Sequence, residues 1–158
     1  MSICYSIIIN LYFSFLLIAS LFSNKAALWI NGRKNWKTTI SSRIKKSESW
    51  IWFHCSSLGE FEDCCELFIK IKNDNTNKKT ILTVFSPTAF EALGKSNLFD
   101  LITYLPLDTK FNAKTFLDTV KPELALFSRS ELWFNFIQEA RQRNIPIFLI
   151  SLKLNENS

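Results

Sequence analysis

The sequence predicts an α/β fold: an open, Rossmann-like parallel sheet with helices on both faces, preceded by an N-terminal membrane helix. Three observations point there. From residue 49 onward, short apolar runs alternate with stretches of helical periodicity. The runs are continuously apolar, as expected of parallel strands buried on both faces. Finally, residues 1–24 carry no charged side chain at all.

The segment ICYSIIINLYFSFLLIASLFS, residues 3–23, is 21 uncharged residues, about the ~20 that a helix needs to cross a bilayer core. Residues 1–24 are therefore read as an uncleaved membrane anchor helix. A signal peptide would want a basic start and a small-x-small cleavage site, and neither stands out. Asn10, Ser14 and Ser20 temper the hydrophobicity, so a helix lying on the membrane stays open as the alternative to one that spans it.

Residues 25–48 read as a basic juxtamembrane linker. Lys25, Arg33, Lys34, Lys37, Arg43, Lys45 and Lys46 occur there with no acid before Glu48. The positive-inside rule then expects the rest of the chain on the cytoplasmic side of the membrane. Arg33, Lys34 and Lys37 are expected at the membrane surface, each contributing roughly 1 kcal/mol against anionic headgroups. Residues 47–158 hold 12 basic and 14 acidic groups. The basic excess is thus local, which argues against a nucleic-acid partner, whose basic face should lie on the fold itself.

Residues 49–158 read as one domain of alternating elements. SWIWFHC (49–55) is a buried strand, followed by a helix over 59–73 with Phe61, Cys64, Cys65, Leu67, Phe68 and Ile71 at helical spacing. TILTVFS (80–86) is a second strand stopped by Pro87, and TAFEALGKS a short helix that Gly94 ends. LITYLPL (101–107) is a third strand. The helix over 109–120 turns Phe111, Phe116, Leu117 and Val120 inward. PELALFS (122–128), a helix over 130–144 and IPIFLIS (145–151) complete the series. Ligands of such sheets sit beyond the carboxyl ends of the strands, which directs attention to the loops at 54–60, 86–89, 105–109, 128–131 and from 151 onward.

Several chemistries are disfavoured by the residues available. With three glycines in all, the chain holds neither a G-x-G-x-x-G fingerprint nor a P-loop, and no cofactor is expected. Cys4, Cys55, Cys64 and Cys65 form no disulfide framework, and with His54 they match no zinc spacing, so no metal is expected. The loop HCSSLGE (54–60) has two readings. Ser57-x-x-Glu60 is a capping box, in which Glu60 reaches back to the Ser57 amide and Gly59 permits close packing. An acid at a strand-to-helix junction is also placed to act as a general base. A hydrolase using His54 and Ser57 is a third possibility, but it lacks a G-x-S-x-G elbow.

The motifs also resemble those of a known family. HCSSLGE is similar to the H-A-A-S-V-G-E signature of the 3-deoxy-manno-octulosonic acid (Kdo) transferases of lipopolysaccharide synthesis. YLPLD (104–108) resembles their Y-L-P-L-D, SRSELWFNF (128–136) their E-T-E-L-W-P-N, and SLKLNENS (151–158) their N-A-R-L-S-E-R-S. An uncharged N-terminal segment, a basic stretch and a Gly-Arg pair (Gly32, Arg33) also fit the family. The resemblance implies the N-terminal, acceptor-binding half of a GT-B inverting glycosyltransferase. Such a half binds a lipid A precursor, while CMP-Kdo, the donor substrate, is bound mainly by a second domain. It implies Glu60 as the catalytic base, with Ser57, Gly59 and His54 shaping the cleft and Glu131 as a second acid facing it.

The chain departs from the pattern at Arg129, where the family has glutamate, and at Phe134, where it has proline. Arg129 is kept as a cleft residue. Because the sequence stops where the family continues into the donor domain, the expectation is that this chain alone does not transfer sugar. The sequence then reads as a fragment, as a protein whose donor domain is a separate chain, or as a decaying relative. The alternative is a membrane-tethered, non-catalytic binding module with the same fold.

Overall fold

The computed structural model describes residues 2–45, 47–128 and 133–150, with side chains from residue 4 onward. The expected cleft residues Arg129 and Glu131, and the block at 151–158, lie outside the described residues. Five strands form one parallel sheet: β1 (Trp50–Cys55), β2 (Lys79–Val84), β3 (Leu101–Tyr104), β4 (Pro122–Ser128) and β5 (Ile147–Ile150). Their spatial order is β3-β2-β1-β4-β5. The helices between them are α4 (Leu58–Asp74), α5 (Pro87–Leu93), α6 (Lys110–Val120) and α7 (Phe134–Gln142). The doubly wound architecture expected from the apolar runs is what the chain adopts.

Every residue of β1 is buried, and its alternation divides the core in two. Trp50 and Trp52 face α6 and α7, packing with Ala113, Phe116, Leu117, Phe136 and Ala140. Ile51, Phe53 and Cys55 face the opposite way, against Phe61, Cys64, Phe68, Leu93 and Phe99. A strand sandwiched between two helical layers must be apolar on both sides, which is why its sequence shows no polar alternation. Trp52 sits at the centre, with ring centroids of Phe116 and Phe127 at 4.8 Å and Phe136 at 5.6 Å.

The chain reverses direction across β1. The crossovers after β1 and β2 run toward one edge, and the one after β3 jumps back to place β4 on the other side of β1. The carboxyl ends of β1 and β4 therefore mark the topological switch point, the place where open α/β sheets bind ligands.

Three expectations need correction. Residues 25–48, expected as a basic juxtamembrane linker, largely form two helices, α2 (Asn24–Arg33) and α3 (Trp36–Arg43), packed on the domain. Ser23 caps α2 by accepting from the Ala26 amide, and Trp29, Ile30, Arg33 and Ile40 are buried. The Trp and Ile positions among the lysines serve packing, a pattern that the charge run obscures. Phe111 is not inward but 70% exposed, one residue off the buried stripe of Ala113, Phe116, Leu117 and Val120. The third correction concerns the N-terminal segment. It forms α1 (Ser2–Ala19), and among the described residues no helix is long and apolar enough to cross a membrane. Eighteen residues reach about 27 Å at 1.5 Å each, short of a ~30 Å hydrocarbon core. Moreover α1 lies against the domain. Tyr5 packs its ring on Phe134 at 5.3 Å and Tyr12 meets Trp29 at 6.2 Å.

Candidate functional site

The candidate site is built around the carboxyl end of β1, at the switch point. Ser57 ends the strand-to-helix turn in an extended conformation and caps α4 by accepting from the Glu60 amide at 3.3 Å. The Glu60 carboxylate reaches back one residue further than a standard capping box, accepting the Ser56 N–H at 2.7 Å through Oε2. Glu60 is half-buried. Beside it Gly59 is exposed, and a Cβ added there would meet no atom within 4 Å. Gly59 thus does not serve close packing, contrary to expectation; it leaves open space next to the carboxylate. Ser128, at the end of β4, links the two lips of the crevice, donating to the Glu60 carbonyl at 3.4 Å while Cys64 Sγ approaches its Oγ at 3.4 Å.

His54 has a fixed role. It is fully buried, and burial, with Arg33 nearby, pushes its pKa down to about 3 against the hydrogen bond to the Thr83 backbone. The ring is therefore neutral at physiological pH. The Trp133 indole N–H can only donate, and it lies 2.8 Å from His54 Nε2. Nε2 must then be the acceptor, and the proton sits on Nδ1, directed at Thr83 O (3.0 Å) and Thr83 Oγ1 (2.9 Å). Trp133 in turn packs on Phe85, the two rings tilted at 38° with centroids 5.0 Å apart. A buried neutral imidazole committed on both nitrogens is no base for Ser57, whose hydroxyl caps α4 instead. The Ser–His hydrolase reading is thereby excluded.

Arg33 is likewise not at a membrane surface. It is 7% exposed, and its guanidinium donates to three carbonyls: Leu105 (2.9 Å), Trp29 (3.1 Å) and Phe85 (2.7 Å). It lies over the rings of Trp29 (3.8 Å), Tyr104 (4.6 Å) and Phe85 (4.8 Å). Burial pushes its pKa down to about 9, so it keeps its charge at neutral pH. Lys34 and Lys37 are exposed. Next to Arg33, a Cβ on Gly32 would fall 2.2 Å from Tyr104 Cε2. Only glycine lets α2 approach the end of β3 so closely.

Asp108, quoted above only as the end of YLPLD, is a central member of the site that sequence reasoning missed. It is fully buried. Its carboxylate accepts the Asn135 and Phe136 amides, each at 3.1 Å, and its own carbonyl accepts the Asn135 side chain at 2.6 Å. It also takes the Tyr5 hydroxyl at 2.5 Å. Asp108 thus caps α7, which has no side-chain cap from its own N-cap residue, Trp133. Burial raises its pKa, while the donors from Tyr5, Asn135 and Phe136 oppose that rise.

The resemblance motifs are consequently each other's structural partners. His54 of the first block holds Trp133 of the third, and Asp108 of the second holds Asn135 of the third. The Gly32–Arg33 pair holds Tyr104 and Leu105. Blocks scattered over 100 residues of sequence converge on the carboxyl edge of one sheet. Among the described residues no group of His, Cys, Asp or Glu side chains is arranged to hold a metal ion.

Comparison with known proteins agrees. The family model described as 3-Deoxy-D-manno-octulosonic-acid transferase (kdotransferase) matches residues 32–158. A bifunctional glycosyltransferase/methyltransferase of Fusobacterium nucleatum is 30% identical over 138 residues, covering 80% of this chain and 21% of the relative. The 3-deoxy-D-manno-octulosonic acid transferase of Haemophilus influenzae is 32% identical over 110 residues, covering 68% and 26%. That of Aquifex aeolicus is 33% identical over 95 residues, covering 60% and 26%. The chain spans no more than about a quarter of the length of these relatives. Fold, motif contacts and sequence similarity together make this chain a member of the 3-deoxy-D-manno-octulosonic-acid transferase family, carrying its N-terminal domain.

Proposed function

We propose that the chain is the acceptor-binding part of a Kdo transferase, working at the cytoplasmic face of the inner membrane on a lipid A precursor with CMP-Kdo as donor. No cofactor takes part in this reading. The observation that carries it is the placement of Glu60: a half-buried carboxylate at the switch-point crevice, tied through one oxygen to the Ser56 amide, with open space beside Gly59.

In the proposed reaction, Glu60 takes the proton from an acceptor sugar hydroxyl as that oxygen bonds to the anomeric carbon of Kdo and CMP departs with the bonding electrons. A single displacement of this kind inverts the anomeric configuration. The Ser56 amide orients the carboxylate, Ser57 caps the helix that carries it, and His54 and Trp133 position the neighbouring wall without exchanging protons. The donor is bound mainly by a second domain, in the same polypeptide or in a partner chain.

What supports a membrane-surface location is the outer face of α1. Tyr5, Ile9, Phe13 and Leu16, spaced three or four residues apart, are its less exposed side. Ile7, Ile8, Leu11, Phe15 and Ile18 are more than half exposed. A helix on a globular surface normally turns polar residues outward; one with apolar residues outward, flanked by exposed Lys25, Lys34 and Lys37, suits lying in a lipid interface.

The test of Glu60 joins the chain with a donor domain from a relative and measures transfer from CMP-Kdo to a lipid A precursor. Glu60→Gln preserves size and an acceptor oxygen for Ser56 but cannot accept the proton. It is expected to lower kcat by 10²-fold or more with acceptor binding retained, the scale of a lost general base. Unchanged kcat would refute the assignment, and acceptor binding with no transfer by any wild-type pairing would favour the non-catalytic binding module.

A further inference from the structure

We propose that Tyr5 is a positioning residue: through the Asp108 carboxylate it makes α1 a working part of the crevice wall. The observations are geometric. Tyr5, Asn135 and Phe136 converge on one buried carboxylate, at 2.5, 3.1 and 3.1 Å. The Tyr5 ring packs on Phe134, the first residue of α7. Directly before Phe134 stands Trp133, whose indole holds His54 at the mouth of β1. A continuous path thus runs from α1 through Asp108 and the first turn of α7 to the crevice.

The physics explains why Asp108 needs a third donor. A buried carboxylate is costly unless each oxygen is well supplied with donors. The two α7 amides offer one bond to each oxygen, leaving lone pairs open, and Tyr5 fills one on Oδ2. Removing that hydroxyl leaves the anion under-supplied, which loosens its hold on both amides. An apolar tether that merely held the domain near a membrane would need no polar contact of this kind, and it would leave α7 indifferent to residue 5. That this edge is the acceptor crevice rests on the reading above; the coupling between Tyr5 and α7 does not.

The test is hydrogen exchange and indole NMR on the full chain. Tyr5→Phe keeps the ring contact with Phe134 and deletes only the hydroxyl. Amide protection at Asn135 and Phe136 is expected to fall about tenfold, the scale of one hydrogen bond to a charged group, and the Trp133 indole N–H resonance to move while that of Trp50 stays. Asp108→Asn, which cannot act as an anionic acceptor, should give the same pattern and serves if the first variant folds poorly. Phe13→Ala weakens the docking of α1 without touching Asp108 and should leave both readouts in place. Unchanged protection in Tyr5→Phe, or an equal loss in Phe13→Ala, would overturn the proposal. The outcome is independent of Glu60→Gln, so failure of the catalytic reading and failure of the coupling are separable.

Discussion

His54 shows how a residue type misleads when read alone. Histidine in a loop beside serines and acids suggests acid–base chemistry, yet burial and the Trp133 indole force it to stay neutral. Its folded pKa of about 3 lies below the ordinary 6.5. Between those values the unfolded chain binds the extra proton, so the contribution of His54 to stability is present above about pH 6.5 and is lost as pH falls toward 3. Asp108, raised by burial, acts in the opposite sense near its own titration. Urea melts between pH 7 and pH 4.5 should therefore show a decline that is smaller in His54→Gln, by up to about 1.4 kcal/mol for each pH unit below 6.5. Parallel pH curves for the two proteins would disprove it. The histidine acts by anchoring an indole rather than by exchanging protons.

At the scale of elements, α2 is held by contacts that its own sequence does not advertise. Arg33 ends α2 and ties it to the carbonyls following β2 and β3, while Gly32 lets Tyr104 come close. Stacking on three aromatic rings uses the planar face of the guanidinium, and its fork meets three carbonyls; a lysine ammonium on a flexible stem supplies neither. Arg33→Lys should cost about 2–4 kcal/mol in a urea melt, since it forfeits stacking and leaves one or two buried carbonyls unpaired. A loss below 0.5 kcal/mol would show that α2 is held by its apolar face alone. Asp108 makes the same point for α7. Local capping rules would look at Trp133 and its neighbours, whereas the cap arrives from a loop 27 residues away.

For the whole molecule, the distribution of charge and apolar surface is the informative quantity. Nine large apolar side chains between Ile7 and Phe22 are substantially exposed, adjoining the exposed lysines of α2 and α3. If that face meets lipid, Ile8→Asp combined with Phe15→Asp should reduce partitioning onto vesicles containing anionic phospholipid by at least tenfold, while thermal unfolding stays within about 1 kcal/mol. Raising salt should weaken the wild-type interaction through screening. Sedimentation with vesicles measures both effects, and equal partitioning by the double variant would exclude α1 as the contact surface.

The sequence by itself determined the order of elements, the two-sided burial of the strands, the capping role of Ser57 and the placement of Glu60 at the end of β1. These depend on local periodicity and on neighbours within a helical turn, where spacing and side-chain type suffice. Helix starts and faces were less legible. Phe111 falls outside the buried stripe of α6, and Trp133, expected within a helix, stands just before α7 as its N-cap residue. Only the tertiary structure decided that α1 lies along the domain, that Arg33 is buried, that His54 is a neutral anchor, and that Asp108 unites α1 with α7. Each of those outcomes depends on partners 27 to 103 residues apart in the chain. The free energy of a buried polar group is set by the donors and acceptors that folding brings to it, and no local spacing encodes them.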